Sequence, residues 1–404
     1  MKILVLNCGS SSIKYQLIDM DRRRVMARGI VAKIGEKRSY IRHRTEEGEI
    51  FEEMPIRNHV RGLEIVISYL LDKKIGVIRD RSEISAVGHR VVHGGSIFLK
   101  PTLITDEVIK VLREYSYLAP LHNPHNLAGI EAARKIFPGV PQVAVFDTSF
   151  HQTIPERAYL YPIPYEFYLK YGVRKYGFHG ISCQYVSTRC SEILGKPLNE
   201  LRLIICHLGN GVTICAVDGG KSIDTSMGLT PLGGVMMGTR CGDLDPGVIF
   251  YLLRETGIEA EELNRILNNR SGLLGISGVS NDIREILSRA EKGDVRCRLA
   301  IDMFTYRIKK WIGAYAAALG GFDALIFTAG IGENSPHIRS MVCEGLDFMG
   351  VELDEEKNAK AIGTEAVISK NSSRVKILVI PTDEEKLIAY ETMKIVKGLM
   401  RKEY

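Results

Sequence analysis

The chain has 404 residues, of which 45% are hydrophobic and 25% charged, and its formal net charge is +6. This composition is typical of a globular protein that buries a sizeable core, and the length favours two domains over one. A weak positive charge over this length suits anionic small substrates but is no signature of nucleic-acid binding, so we expect no nucleic-acid partner.

Cysteine usage and hydropathy predict a cytoplasmic protein. The eight cysteines are scattered without a CxxC pair, which indicates free thiols in a reducing compartment. One stretch, from Trp311 to Gly332, carries only the charge of Asp323, but glycines interrupt it. It therefore predicts a buried helix, a turn, a strand and a turn, and no membrane span.

The N-terminal segment predicts a β-hairpin with a polar tip. Lys2 to Leu6 is a short β-rich run, and Ile13 to Ile18 is a second run that alternates. Between them, small residues from Asn7 to Ser12 could surround phosphate oxygens, with Lys14 as a nearby positive charge. An ordinary turn is the alternative, because the segment lacks the GxxxxGK[ST] pattern.

The same arrangement returns near the middle of the chain. Leu203 to Cys206 leads into His207–Gly211, and Val212 to Val217 is the next strand. Glycines on both sides of Asn210 permit close approach to an anion, although an Asn-Gly turn between two strands explains them equally well. The recurrence suggests two halves built on one plan.

Other buried strands alternate with helical patterns, which predicts an α/β architecture. The strands are 86–88, 143–146, 324–327 and 375–380, and the helical patterns include 106–115 and 259–268. Asp147 and a glycine loop over Thr328–Asn334 follow two of these strands, at the ends where open α/β sheets bind ligands.

Two arginines and one histidine are candidates for the handling of charge. Arg90 and Arg240 both lie near glycines, and a guanidinium matches carboxylate and phosphate geometry. Salt bridges that close loops are the alternative. His179 lies between an aromatic residue and a glycine, where it would contact either substrate or backbone. A zinc site is disfavoured, because the histidines form no HExxH motif.

Ten segments taken together resemble the acetate kinase family along essentially the whole chain. They are NCGSSSIKYQL, GHRVVHGG, APLHNP, VAVFDTSFHQTIP, YGFHG, CHLGNG, DTSMGLTPL, MGTRCGDLDPG, FTAGIGENS and IPTDEE. The resemblance implies the superfamily of actin, heat-shock ATPases and sugar kinases. It implies two duplicated α/β, ribonuclease-H-like domains with a nucleotide cleft between them. We expect an N-terminal domain of residues 1–150 with 383–404, which carries the first hairpin and is closed by the C-terminal helix. Residues 151–382 would form the nucleotide-binding domain.

The resemblance also implies roles for individual residues. Catalysis would fall to Arg90, Asp147, His179 and Arg240. Arg90 would bind the substrate carboxylate, and the methyl group would enter a pocket of Val92, Leu121, Phe178 and Pro231. ATP would be bound by Lys14, His207, Leu208, Gly209, Asn210, Gly211, Asp282, Ile283, Arg284, Gly330, Ile331, Gly332, Glu333 and Asn334. Asn7 and Glu384 would place Mg²⁺, with Mn²⁺ as an alternative ion and the adjacent Glu385 as an alternative ligand.

The implied reaction is the reversible, direct in-line transfer of the ATP γ-phosphoryl group to acetate, which gives acetyl phosphate and ADP. A homodimer is implied as well. Propionate is the alternative substrate, but propionate kinases tend to carry a smaller residue where this chain has Val92. The alternative of another class is an actin- or chaperone-like ATPase that phosphorylates no carboxylate. The chain departs from the family pattern at Ile181, Cys183, Gly233 and Cys241.

Overall fold

The computed structural model of the chain describes residues 1–119 and 122–400. The described chain divides into two compact units. Unit 1 comprises Met1–Ser149 and the C-terminal residues from Asp383 onward, and unit 2 comprises Phe150–Thr382.

Unit 1 is built on a mixed sheet with helices on both faces. Its strands are β1 (Lys2–Cys8), β2 (Ser12–Asp19), β3 (Arg24–Ala32), β4 (Tyr40–Thr45), β5 (Glu49–Glu53), β6 (Ile84–Val91), β7 (Thr102–Leu103) and β8 (Gln142–Phe146). Its helices are α1 (His59–Leu70), α2 (Asp106–Glu114), α3 (Asn123–Ile136) and, at the end of the chain, α15 (Glu384–Met400). The strand order is β5-β4-β3-β2-β1-β6-β8-β7.

The central strands of unit 1 are buried on both faces because their sequences are continuously apolar. In β6, Val87 packs with Ala132 and Ala133 of α3 in one hydrophobic cluster. The next residue, Gly88, faces the opposite way, since side chains alternate along a strand. A Cβ atom at Gly88 would lie 2.5 Å from Oγ1 of Thr392, so α15 packs directly on this strand.

Unit 2 contains a second mixed sheet, again with helices packed against it. Its strands are β9 (Arg202–Leu208), β10 (Val212–Asp218), β11 (Lys221–Thr225), β12 (Ala324–Thr328), β13 (Ala366–Val367) and β14 (Lys376–Val379). The helices are α4 (Glu156–Tyr159), α5 (Tyr165–Tyr171), α6 (Gly180–Leu194), α7 (Pro246–Thr256), α8 (Ala260–Asn269), α9 (Gly272–Ser277), α10 (Ile283–Glu291), α11 (Val295–Leu319), α12 (Ala329–Asn334), α13 (Pro336–Cys343) and α14 (Glu355–Lys360). The strand order is β11-β10-β9-β12-β14-β13.

The two sheets share one plan. In each, a three-stranded antiparallel meander is followed by two strands parallel to its first strand: β3-β2-β1-β6-β8 in unit 1 and β11-β10-β9-β12-β14 in unit 2. The predicted α/β class and the duplication suggested by the two glycine hairpins are thereby confirmed.

One sequence prediction about the backbone is wrong. The residues after β12 were expected to form a glycine loop, but Ala329–Asn334 form the short helix α12. Thr328 is extended and Ala329 has φ of 64°, so the chain turns into the helix within one residue. The side chain of Asn334 then donates to the carbonyl of Gly330 at 2.9 Å and stabilises the turn. Residues 311–332 therefore form a helix, a turn, a strand and a helix.

Among the described residues, no helix combines the length and the apolar character that a bilayer crossing would require.

A buried histidine makes the stability of unit 1 depend on pH. Nδ1 of His43 lies 2.5 Å from the hydroxyl of Tyr15, and its ring is stacked between those of Tyr15 and Tyr69. Burial lowers the pKa of His43 to about 4. The folded state therefore holds this ring neutral at pH values where the unfolded chain already binds a proton.

We predict that unit 1 loses stability as the pH falls from about 6.5 toward 4, because the proton then binds the unfolded chain preferentially. A pKa lowered from 6.5 to about 4 corresponds to about 2 kcal/mol lost between pH 7 and pH 5. His43→Gln keeps an acceptor for Tyr15 but cannot titrate, so its urea-unfolding free energy should fall less over this range. His337→Gln, at an exposed position, is the control. Equal pH slopes for His43→Gln and the parent protein would contradict the assignment.

Candidate active site

In unit 1 the predicted residues Asn7, Arg90, Asp147 and Glu384 form one polar cluster. Asn7 and Arg90 lie near the carboxyl ends of the parallel strands β1 and β6, and Asp147 directly follows β8. Nη2 of Arg90 donates to Oδ2 of Asp147, its Nη1 lies 3.5 Å from Oδ1 of Asn7, and its Nε lies 3.4 Å from Oε2 of Glu384. Parallel strands end at one edge of a sheet, and that edge brings these groups together.

The cluster has more negative than positive charge. Burial would lower the pKa of Arg90, but the carboxylates of Asp147 and Glu384 raise it overall. Burial raises the pKa of Glu384 to about 7 against the attraction of Arg90, and the charge of Asp147 adds to the increase. One guanidinium thus faces two carboxylates, an arrangement that a further cation would stabilise.

The donor atoms of this cluster fit a magnesium ion. Oδ1 of Asp147 is buried without a hydrogen-bond partner, and the carboxylate of Glu384 and the amide oxygen of Asn7 contact the same guanidinium. Such oxygens are the ligands that Mg²⁺ prefers, usually as one or two carboxylates completed by water and substrate phosphates. In the described parts of the chain, no three His, Cys, Asp or Glu side chains are grouped to enclose a metal by themselves.

The remaining predicted residues of unit 1 lie beside this cluster or outside the described chain. Lys14 is exposed on β2, directly opposite Asn7 in the hairpin register. Val92 is buried, and its N–H donates to Oδ1 of Asn126 at 3.0 Å. The same Asn126 donates to the carbonyl of Cys8 at 2.7 Å, so one amide fixes the ends of both strands. Leu121 lies outside the described residues.

In unit 2 the structure brings His179 and His207 into direct contact. Their rings stack with centroids 4.1 Å apart and 15° between planes. His179 has φ of 55°, a conformation uncommon for residues other than glycine and often found at functional sites. Its Nδ1 lies 2.8 Å from the hydroxyl of Thr213. Buried His151 lies 2.9 Å from the carbonyl of Phe178, and this contact holds the preceding peptide in place.

The tip of the second hairpin closes against this histidine pair. A Cβ atom at Gly211 would lie 3.1 Å from Cε1 of His179 and 3.5 Å from Nη1 of Arg240. A side chain at position 211 would therefore crowd the ring of His179, and glycine lets the backbone approach it without displacing the ring. The predicted residues of the hairpin tip, His179 and Arg240 consequently lie around one point in unit 2.

Among the described residues, Arg240 has no carboxylate partner, in contrast to Arg90. Its Nη1 lies 3.4 Å from the carbonyl of Pro231 and 3.8 Å from the sulfur of Met237, and no ion pair with it occurs among the described residues. Burial lowers the pKa of Arg240. A partly buried guanidinium without an anion nearby carries a desolvation cost that a bound anion would offset.

The segment Asp282–Arg284 joins the same region through a neighbour. The amide of Asn281 donates to Oδ1 of Asn210 at 3.0 Å. Asp282 caps α10 by accepting from the N–H of Arg284, and it also pairs with the exposed guanidinium of that residue. Ile283 is buried. The first residues of α10 thus lie next to the hairpin tip.

Helix α12 carries the predicted residues Gly330, Ile331, Gly332, Glu333 and Asn334. A Cβ atom at Gly209 would lie 3.7 Å from that of Ala329, which places the start of α12 beside the hairpin tip. The side chain of Glu333 is held within unit 2, because its Oε1 accepts a hydrogen bond from the N–H of Thr382 at 3.0 Å.

Several residues that support the site were not identified from the sequence. Fully buried Arg339 donates to the carbonyl of Gly332 at 2.8 Å and to the carbonyls of Asn358 and Ala361. Asn126 and His151 also act through contacts far along the chain. Contacts such as that of Asn126 with Cys8 join residues 118 positions apart, so no local pattern marks them.

A family model described as the acetokinase family matches residues 2–390. The chain belongs to the acetokinase family.

Similar proteins of this family cover the whole chain. The chain is 56% identical to the acetate kinase of Thermoanaerobacter pseudethanolicus, over 99% of this chain and 100% of that protein. Among solved structures it is similar to the acetate kinase of Porphyromonas gingivalis, with a TM-score of 0.94, 48% identity, and coverage of 98% and 99% of the two chains. It is also similar to a propionate kinase of Francisella tularensis, with a TM-score of 0.91, 42% identity, and coverage of 97% and 99%.

One departure from the acetokinase pattern lies beside Arg240. Cys241 is partly exposed, and burial raises the pKa of its thiol to about 11. Thiolates are the nucleophilic form, so this thiol is weakly reactive near neutral pH. The substitution therefore adds no activated nucleophile to the site.

Proposed function

We propose that the chain catalyses the reversible transfer of the ATP γ-phosphoryl group to acetate, which gives acetyl phosphate and ADP. Membership of the acetokinase family and full-length similarity to acetate kinases support this. The observation that carries the proposal is Arg240, a partly buried guanidinium without an ion-pair partner among the described residues, next to His179 and the glycine hairpin.

The reaction depends on neutralising the negative charge of the two substrates. Removal of a proton from the acceptor matters less. A carboxylate is already ionised at neutral pH, so attack on phosphorus needs no strong base. Repulsion between two anions is the barrier, and positioned cations lower it. In this proposal Arg240 and His179 stabilise charge on the transferring phosphoryl group.

The cluster of unit 1 is proposed to handle the acceptor and the metal. Arg90 retains N–H donors beyond those given to Asp147, and we assign to it the acetate carboxylate. Asn7 and Glu384 would hold Mg²⁺, or Mn²⁺ in its place, and Asp147 would orient this set. When bound, the divalent ion supplies positive charge to the phosphate oxygens.

Unit 2 is proposed as the nucleotide-binding domain. The hairpin tip His207–Gly211, the start of α10 and helix α12 lie side by side there. Backbone N–H groups in such glycine-rich segments can approach phosphates closely. We assign ATP to these segments.

Acetate is proposed over propionate because of Val92, which is buried near the end of β6. One methylene in an apolar pocket is worth only about 1–3 kcal/mol, so propionate should be a slower substrate and not an excluded one.

We also propose a cytoplasmic homodimer. All eight cysteines are free, which agrees with a reducing compartment. Helix α7 has no buried residue although it is largely apolar, and Val248, Ile249, Phe250 and Tyr251 are all exposed on it. Contiguous exposed apolar surface marks interaction sites, and a second copy of the chain is the partner we assign.

The function is tested by trapping the product. With ATP, acetate, Mg²⁺ and hydroxylamine, we expect acetyl hydroxamate to form at a rate that depends on both substrates. A chelator should abolish the product, and added Mg²⁺ should restore it. ATP hydrolysis without hydroxamate would reject the proposal and favour an ATPase.

In the same assay Arg240→Ala should lower kcat by ~10³-fold while the KM for ATP changes far less, because arginines that stabilise phosphoryl transfer contribute on this scale. Arg289→Ala removes an exposed arginine paired with Glu285 and is the control. A kcat near that of the parent enzyme for Arg240→Ala would refute its role.

We predict that Val92→Ala raises kcat/KM for propionate relative to acetate by about tenfold, because it removes two methyl groups and so leaves room for the added methylene. Val91→Ala is the matched control, since Val91 packs in a core cluster with Phe98 and Phe146. Initial rates with acetate, propionate and butyrate give the comparison. If the parent protein uses propionate as efficiently as acetate, the interpretation of Val92 is wrong.

We predict that Phe250→Asp converts the protein from dimer to monomer, because it places a charge in the apolar surface of α7. Phe51→Asp, at an exposed aromatic of unit 1, should leave the dimer intact. Sedimentation velocity distinguishes monomer from dimer for the parent protein and both variants. A monomeric parent protein, or an unchanged dimer for Phe250→Asp, would count against this surface.

A further inference from the structure

A chain of hydrogen bonds in unit 2 leads from Glu333 to the ring of His207. The N–H of Thr382 donates to Oε1 of Glu333 at 3.0 Å, and the Thr382 hydroxyl donates to Oγ of Ser182 at 2.8 Å. Oγ of Ser182 lies 2.9 Å from Nδ1 of His207. Three segments far apart in sequence therefore meet at one histidine.

The direction of the last hydrogen bond follows from burial. Ser182 has no exposed surface, and its Oγ already accepts from Thr382. Its own proton needs an acceptor, because a buried unsatisfied donor is costly. Among the described residues, the other polar contact of this hydroxyl is Nδ1 of His207. The hydroxyl of Ser182 thus donates to Nδ1, and the proton of the neutral ring is on Nε2.

We propose that Ser182 and Thr382 are positioning residues that fix His207 as the neutral tautomer with its N–H donor at Nε2. This inference rests on the proposed function, in which His207 belongs to the ATP site. A ring held this way presents a hydrogen-bond donor to an anion, whereas the other tautomer would present a lone pair that repels it.

The stacking of His207 on His179 gives the tautomer a second consequence. With centroids 4.1 Å apart, the two rings would repel each other if both were positively charged. A His207 that stays neutral but still donates a hydrogen bond avoids this repulsion whatever the charge of His179. The hydroxyl of Ser182 achieves this without placing a carboxylate next to the phosphates.

Ser182→Ala tests the inference through ATP binding. We expect the KM for ATP to rise about tenfold, as when a hydrogen bond to a charged phosphate is weakened, with kcat and the KM for acetate little changed. Ser187→Ala is the matched control, since Ser187 is also buried on α6 but donates to the carbonyl of Cys183. Thr382→Val should raise the KM for ATP severalfold. Thr382→Ser keeps the hydroxyl, so its KM for ATP should equal that of the parent protein.

A readout independent of activity is the tautomer itself. In protein with nitrogen-15-labelled histidine, two-bond nitrogen–proton correlation spectra identify the protonated nitrogen, and loss of a signal in His207→Gln assigns the residue. We expect protonated Nε2 in the parent protein and a mixture of tautomers in Ser182→Ala.

A His207 protonated at Nδ1 in the parent protein would overturn the inference. So would a Ser182→Ala protein whose melting curve shows it to be folded and whose KM for ATP matches that of Ser187→Ala. If the parent protein phosphorylates no acetate, the proposed function fails, while the spectra still decide the tautomer.

Discussion

The positive charge of a partly buried arginine requires a compensating negative charge. Arg90 finds this charge within its own unit, whereas among the described residues Arg240 does not. Arg90 is held by Asp147 and Glu384, so its charge is more than compensated inside unit 1. Arg240 has no carboxylate partner among the described residues and contacts a carbonyl and a thioether instead. The first arrangement favours a further cation and the second favours an anion. A reaction between a metal-bound phosphate and a carboxylate needs sites of both kinds.

The fold determines where these charges can be placed. In both units, parallel strands that follow an antiparallel meander end at the same edge of the sheet. Asp147 follows β8, Arg90 is the penultimate residue of β6, and His207 is the penultimate residue of β9, opposite Thr328 of β12. Their backbone is fixed by ladder hydrogen bonds, so the polar groups need little further ordering to act.

The sequence predicted the elements whose signals are local. Alternating apolar runs around glycines gave both hairpins, and continuous apolar runs gave the buried strands β6, β8, β12 and β14. It failed at Ala329–Asn334, where a Gly-x-Gly pattern suggested a loop, because a single positive φ at Ala329 starts a helix that no composition rule signals. The roles of the site residues came from the family resemblance. Contacts such as that of Ser182 with Thr382, 200 residues away, leave no periodic trace in the sequence.

The stacked histidines show why such distant contacts matter for chemistry. His179 is held in a left-handed conformation, and the contact of His151 with the carbonyl of Phe178 restrains the preceding peptide. His207 is held from the other side by the hydroxyl of Ser182. An imidazole free to rotate or to exchange tautomers would interact with a phosphate in several ways, of which only some are attractive. In the proposed phosphate site, restraining both rings would remove the unfavourable interactions before the substrate binds, so the entropic cost of ordering the rings would be met during folding and not during each turnover.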